Sequence, residues 1–243
     1  MTLQNVILRG FEKIFQRHSV VSVSGESGTG KTSLALFLVG KSLANGNVYK
    51  GSCFWIQASE QFPRRRLVSM YDDNSKKSDY LLDNIYITPS KVIPSYSEQT
   101  ELLRKIANES YLFPPDLRFI VIDNISNHLR FEISKVDDIR KRTFILDDFY
   151  DNVLSLLILR CQREKITLIL LHEVSFNVKL QKTLPFFHSL YKRIKGVNIF
   201  LEKSPVSKER VMNIEIRKKI ASLYFKLDNG GFFFLKSYIN TKM

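Results

Sequence analysis

The stretch "VSVSGESGTGKTSLALFL", residues 21–38, decides the fold. Gly25, Glu26, Ser27, Gly28, Thr29, Gly30, Lys31 and Thr32 satisfy G-x-x-x-x-G-K-[ST] at every position. The apolar run Val20, Val21, Val23 ahead of it reads as a buried strand, and Leu34, Ala35, Leu36, Phe37 and Leu38 behind it read as a packed helix. In a strand–loop–helix of this kind, glycines let backbone N–H groups turn inward around phosphates, and the helix N-terminus adds positive partial charge. Lys31 then reaches the β- and γ-phosphates, the Thr32 hydroxyl sits on Mg²⁺, and Ser33 follows it into the helix. The motif therefore predicts ATP and Mg²⁺ as cofactors.

Working outward, 243 residues with 44% hydrophobic content suit one large core. No Pro/Gly/Ser-rich linker or repeat divides the chain, so we expect an N-terminal helix in residues 1–18 and one ATP-binding core over 19–243. No segment is long and apolar enough to span a membrane, and the N-terminal stretch interleaves its charges with its apolar residues, unlike a signal peptide. Cys53 and Cys161 are isolated, each beside an apolar run (54–56 and 156–159), which predicts buried thiols in a reducing, intracellular compartment. Lys and Arg exceed Asp and Glu by 37 to 24, a formal charge of +13. Such an excess favours a polyanionic partner, and where the charge lies decides which.

Segments of strand character at 52–58, 84–88, 117–123 and 167–172 alternate with helical ones at 98–109 and 143–164, as a mostly parallel, doubly wound α/β sheet requires. From Gly196 on, "VNIFLEKS", "RVMNIEIRKK" and "ASLYFKLDNGGFFFLK" read as antiparallel strands added at the C-terminal edge. In "LRFIVIDNIS" an apolar run leads into Asp123, placing a carboxylate at the C-terminal end of a core strand. There it can hold Mg²⁺ beside Thr32.

The phosphate loop, "VIDNISNHLRFE" and "FWIQASEQFPRRRLVSM" together resemble the RecA/RadA recombinase ATPases, and within them the eukaryotic recombinase paralogues that act as recombination mediators. The stretches 122–132 and 62–67 are most like the fungal Rad fifty-seven type. The resemblance implies a RecA-like P-loop core, a role in homologous recombination and double-strand break repair, and a nuclear location (cytoplasmic for an archaeal source). It also places an arginine at Arg66 close to adenine. Active relatives carry a catalytic glutamate at the end of the second strand. The matching position here is Ser59, with Glu60 one step later, and alternation along a strand would point Glu60 elsewhere unless a bulge intervenes. The usual γ-phosphate sensor, a glutamine, is matched by Glu173. Both departures predict ATP binding with slow hydrolysis.

The loops that face DNA in the resembling recombinases follow the Asp123 strand and the Glu173 strand. The first carries Arg130, Arg140, Lys141 and Arg142 among acids. The second, "SFNVKLQKTLPFFHSLYKRIK", carries Lys179, Lys182, Lys192, Arg193 and Lys195 with no acid, interleaved with Phe176, Phe186, Phe187 and Tyr191. Cations with flat rings suit single-stranded DNA, where stacking contributes about 1–3 kcal/mol per base; Phe186, Phe187 and Leu190 equally suit anchoring to the core. His128, His172 and His188 lack ligand spacing, so solvated or hydrogen-bonded histidines are expected. Three functions fit: a DNA-binding mediator, an active DNA-dependent ATPase of RadB or helicase type, and an interaction-only subunit. The resembling recombinases polymerise through a Phe-x-x-Ala hook ahead of the core. Here only a helix at about 3–15 precedes the loop, so the expected partners are another RecA-like paralogue in a heterodimer and the main strand-exchange recombinase.

Overall fold

The computed structural model describes all residues except 1–2, 46–47, 73–74, 179, 205–208, 218 and 241–243; Lys179 therefore lies outside the described residues. Helix α1 (Leu3–Arg17) precedes β1 (Val20–Gly25) and α2 (Lys31–Leu43). A two-residue ribbon, β2 (Ala44–Asn45) and β3 (Val48–Tyr49), leads to β4 (Ser52–Gln57), α3 (Arg64–Met70), α4 (Ser75–Asn84), β5 (Ile85–Thr88), α5 (Tyr96–Ala107) and β6 (Leu117–Asp123). Helices α6 (Asn127–Ser134) and α7 (Ile139–Phe149) follow, then a π-helical turn (Tyr150–Leu154), α8 (Ser155–Arg163) and β7 (Thr167–His172). A hairpin, β8 (Val174–Asn177) and β9 (Lys182–Pro185), and the short α9 (His188–Tyr191) lead to β10 (Val197–Lys203), β11 (Arg210–Ile216), β12 (Lys219–Asp228) and β13 (Gly231–Asn240).

Nine strands form one sheet in the order β5-β4-β6-β7-β1-β10-β11-β12-β13. The strands from β5 to β10 pair in parallel, and β10 to β13 pair antiparallel. The phosphate-loop strand β1 and the Asp123 strand β6 are thus separated by β7. The expected antiparallel edge is present with one correction: "VNIFLEKS" joins β1 in parallel, and only its other side is antiparallel. Helix formation also differs from expectation at its ends. Ser95 caps α5 by accepting from the Glu98 N–H, so that helix starts earlier than 98. Asp138 caps α7 and starts it before 143, and the π turn interrupts the segment read as one helix.

Alternation divides the sheet's two faces. Val21, Val23, Ile169, Leu171, Val121, Trp55 and Ile199 lie on one face in a cluster with α1, α2 and α3. Val20, Ile120, Ile122, Leu168, Leu170 and Ile56 lie on the other, covered by α5, α6, the π turn and α8. Helix α1 spends its apolar residues on the first cluster, Ile7 and Phe11 being buried and Phe15 packing edge-on to Phe119 at 5.5 Å between ring centres. Cys53 and Cys161 are buried free thiols, as expected. Among the described residues no helix is long and apolar enough to cross a membrane.

Arg160 is a charged residue inside this second layer, 4% exposed. Its guanidinium donates to the carbonyls of Ile106 (2.6 Å), Tyr111 (2.6 Å) and Asn108, and its Nε to Glu164 (2.8 Å). It also lies over the Phe113 ring at 4.0 Å. One planar fork thereby satisfies the unpaired carbonyls where α5 ends. Arg160→Met should lower the unfolding free energy by about 2–4 kcal/mol, read from the urea midpoint, because it strands those carbonyls. Arg160→Lys should recover little of it, since one ammonium cannot reach all three.

Candidate nucleotide and DNA sites

The loop between β1 and α2 closes on itself through its own polar atoms. Thr29 Oγ1 donates to the Glu26 carbonyl at 2.9 Å, and Lys31 Nζ donates to the carbonyls of Gly25 (2.8 Å) and Glu26 (3.1 Å). Two glycines are required for physical reasons. Gly30 has φ +103°, a left-handed conformation that strains other residues, and a Cβ on Gly25 would stand 2.6 Å from the Leu201 carbonyl. Together with the first turn of α2, the loop borders a cavity of about 540 Å³ that also takes in Glu60, Asp123, Asn124, Arg130 and Glu173.

Period-two alternation brings the acids here. Gly25 and Asp123 fall at strand ends on the face that carries α2, with Gln57 of β4 paired to Asp123, and Glu173 follows directly after the end of β7. Asp123 is 3% exposed and accepts from Thr32 Oγ1 at 2.9 Å. Burial pushes its pKa up to about 6, with Glu60 adding to the rise while the Thr32 hydrogen bond and Lys31 oppose it. Burial lowers the Lys31 pKa, and the Asp123, Glu173 and Glu60 carboxylates offset part of that. A hydroxyl beside a buried carboxylate, under a lysine and a cradle of N–H groups, is a donor set that fits Mg²⁺ with a nucleotide's phosphates. Thr32 and Asp123 would hold the metal, and Lys31 with the loop amides would hold the phosphates. A bound metal supplies charge neutralisation of the phosphate chain.

Glu60 lies on this cavity, which corrects the expectation that it points elsewhere. Strand β4 stops at Gln57, so alternation no longer governs residue 60. The segment is instead pinned by hydrogen bonds. Ala58 and Ser59 N–H groups donate to the Asp123 carbonyl (2.8 and 3.0 Å), and Phe62 N–H donates to Gln57 Oε1 (3.0 Å). Ser59, at the position matching the catalytic glutamate, accepts from the Asn124 N–H instead, at 3.2 Å. Arg66 donates to Ser33 Oγ (3.2 Å) and to the Asn229 carbonyl (3.1 Å), tying α3 to the start of α2 and to the β12–β13 turn.

Arg130, read from sequence with the DNA-facing cations, borders the nucleotide cavity instead. It pairs with Glu173 at 3.2 Å and lies over the Phe186 ring at 4.3 Å. The Phe186 N–H donates to the Glu173 carbonyl at 3.0 Å. The sequence reading also missed Lys203, which reaches from the end of β10 to the Ser27 carbonyl at 2.8 Å. No local pattern marks it, because its role depends on β10 pairing with β1.

The other cations lie away from this cavity. Arg140 and Lys141 are exposed in the first turn of α7, and Arg142 donates to the Val136 carbonyl. Lys182, Lys192 and Lys195 are exposed, whereas Arg193 pairs with Asp147 at 2.7 Å. Of the rings, Phe187 and Tyr191 pack on the core while Phe176 is 57% exposed. Leu190 anchors in the core as well. His128 is hydrogen-bonded to the Ala58 carbonyl at 2.9 Å. His172 corrects the expectation of a solvated or hydrogen-bonded ring: it is buried, and neither ring nitrogen has a protein partner. Among the described residues no group of three His, Cys, Asp or Glu side chains could hold a metal ion by itself.

The Rad51 family model matches residues 3–206. The chain belongs to the Rad51 family. Its fold is similar to that in a crystal structure of the RadB recombinase, with a TM-score of 0.67 over 90% of this chain and 91% of that one, at 19% identity. At that identity the likeness is one of fold. No curated protein matches the chain. Membership in the Rad51 family implies an ATP-binding P-loop domain, Mg²⁺ with the nucleotide, and a place in DNA recombination and repair.

The raised Asp123 pKa gives the site a pH dependence. Between the ordinary carboxylate range and about pH 6 the folded chain holds a proton the unfolded chain has lost, so stability without metal should fall as pH rises through that window and level off above it. Mg²⁺ must displace that proton, so Mg²⁺-dependent nucleotide affinity should rise from pH 5 to about 6.5 and then flatten. Titration of a fluorescent ATP analogue across pH checks this, and Asp123→Asn should remove the dependence together with the metal requirement.

Proposed function

We propose that this Rad51-family chain is an ATP-binding, DNA-binding mediator of homologous recombination and double-strand break repair, of the eukaryotic paralogue type nearest the fungal Rad fifty-seven protein. It would act in the nucleus beside another RecA-like paralogue and the main recombinase. One observation carries the reading: Lys31, Thr32 and Asp123, which would bind a nucleotide, border one cavity, while a carboxylate, Glu173, stands beside them just past the end of β7. A carboxylate there repels the negative charge that accumulates on a phosphate chain during hydrolysis. Arg130 offsets it in the resting site, and in doing so contacts Phe186 of the basic segment. That arrangement suits a nucleotide that is held and that orders the DNA-facing segment, rather than one turned over rapidly.

Single-stranded DNA is the partner favoured by the charge. Residues 175–195 contain no acid, and Arg140 and Lys141 stand exposed in the first turn of α7, where cations oppose the helix dipole. Cations kept at an unfavourable position are better explained by a ligand than by folding. Replacing Lys179, Lys182, Lys192, Arg193 and Lys195 by Gln should weaken single-strand binding and flatten its salt dependence, each lost phosphate contact changing the log–log slope by about 0.7. A slope equal to the parent's would place the DNA elsewhere.

Glu60 favours a second reading, an active DNA-dependent ATPase, because its carboxylate lies on the nucleotide cavity within electrostatic reach of Lys31 and Asp123. Phosphate release with and without single-stranded DNA separates the two. The mediator reading expects a turnover far below the ordinary enzymatic range of about 1–1,000 s⁻¹, little changed in Glu60→Gln. Ordinary turnover that Glu60→Gln abolishes would establish the second.

A further inference from the structure

The sheet face opposite α2 is apolar only in part. Beneath α5 and α8 it is covered by helices. Under β1, β7, β10 and β11 it turns polar, since alternation brings Ser22 and Ser24, His172, Asn198 and Glu215 to the same side. Among the described residues no long helix covers that part. The β8–β9 hairpin and α9 roof it and leave a cavity of about 470 Å³, with exposed Lys182, Lys192 and Asn198 around it. Ser22 and Ser24 are buried, and His172 is 1% exposed.

His172 is the decisive group. Both ring nitrogens lack a protein partner, and the ring stands edge-on to Tyr191 at 4.1 Å between centres. Burial, with Lys31 adding to it, pushes the His172 pKa down to about 3, so the imidazole is neutral and offers one donor and one acceptor. Leaving both unsatisfied is costly, and the space is many times that of one water. The chemistry of the lining narrows the ligand. The buried floor holds no cation, which disfavours a phosphate or carboxylate there. Among the described lining residues the one acid, Glu215, is exposed, and no His/Cys/Asp/Glu cluster among the described residues could hold a metal. A flat, neutral group with alternating donors and acceptors, joined to an anion near Lys182 and Lys192, satisfies every part of the cavity.

We propose that this cavity receives one unstacked base of a bound single strand, its edge read by His172 and Asn198 and its backbone held by Lys182 and Lys192. The inference rests on the DNA-binding reading above. Flipped bases are held in other proteins by the same combination of edge hydrogen bonds and flat walls, here Tyr191 and Phe200.

The test uses the full chain with ATP and Mg²⁺, an oligodeoxythymidylate, and an abasic strand of equal length and charge. The intact strand should bind about tenfold more tightly than the abasic one. His172→Leu and Asn198→Leu should each shrink that ratio severalfold by weakening the intact strand alone, with ATP affinity and the salt slope unchanged. Asn198 is exposed, so its variant decides the matter if His172→Leu does not fold. Equal binding of both strands by the parent chain, or a full ratio in the folded variants, overturns the base pocket while leaving DNA binding intact. Binding of neither strand overturns the DNA-binding reading, and the pocket with it.

Discussion

A carboxylate buried at 3% exposure, hydrogen-bonded to one threonine, is the constraint around which this molecule is organised. Asp123 and Thr32 are 91 residues apart, and their 2.9 Å contact requires β1 and β6 to end at the same level. Strand β7 between them sets that level: Val20 to Ser24 register with Leu168 to His172, and Phe119 to Ile122 with Thr167 to Leu170. A shift of one residue in either pairing would turn Asp123 or the glycine loop to the wrong face. Burying a charge-capable group costs free energy, visible in its pKa near 6; the Thr32 hydrogen bond and Lys31 offset part of that cost, and a bound cation would offset more. The apolar strands around it are therefore what fix the position of the chemistry.

How much of this was legible depended on whether the information was local. The phosphate loop is complete within eight residues and was readable outright, as was Asp123 from the apolar run before it. Cys53 and Cys161 were readable from the apolar runs beside them, 54–56 after the first and 156–159 before the second. The contents of the cavity wall were not. Glu60 was misplaced because alternation was carried past Gln57, where the strand ends and hydrogen bonds to the Asp123 carbonyl take over. Arg130 looked like a surface cation because nothing in its own segment announces Glu173 or Phe186 across the sheet end. Lys203 reached the loop only through a parallel pairing that β-rich sequence with turns had suggested would be antiparallel.

The two faces of the sheet make a second distinction that composition conceals. On the α2 side the strands carry apolar residues until their last position, where Gly25, Asp123 and Gln57 appear together, with Glu173 just past the end of β7. On the other side, polarity begins earlier and only toward β10: Ser22, Ser24, Asn198 and Asn213 replace what would be valines in a fully covered parallel sheet. Asn213 and Ser222 hydrogen-bond across neighbouring strands at 2.7 Å, so part of that polar surface is satisfied within the sheet. His172 is the member that is both buried and left without a partner.

Strand β7 ends at His172, and that residue and the next have opposite destinations. His172 faces the polar cavity under the hairpin, and Glu173, one residue on, borders the phosphate cavity on the other side. The hairpin begins at Val174, so whatever holds Glu173 also holds the first residue of the roof. Two contacts do so. The Ser126 hydroxyl accepts from the Glu173 N–H at 3.0 Å, tying it to the Asp123 strand end, and Arg130 pairs with its carboxylate while stacking on Phe186 beyond the hairpin. Arg130 is the charge that matters most here, because phosphates and Glu173 are both anions and one guanidinium can pair bidentately with either. Nothing of this depends on rapid chemistry in the site. The end of β7 thus places the phosphate-loop cavity and the polar cavity under the basic segment one residue apart.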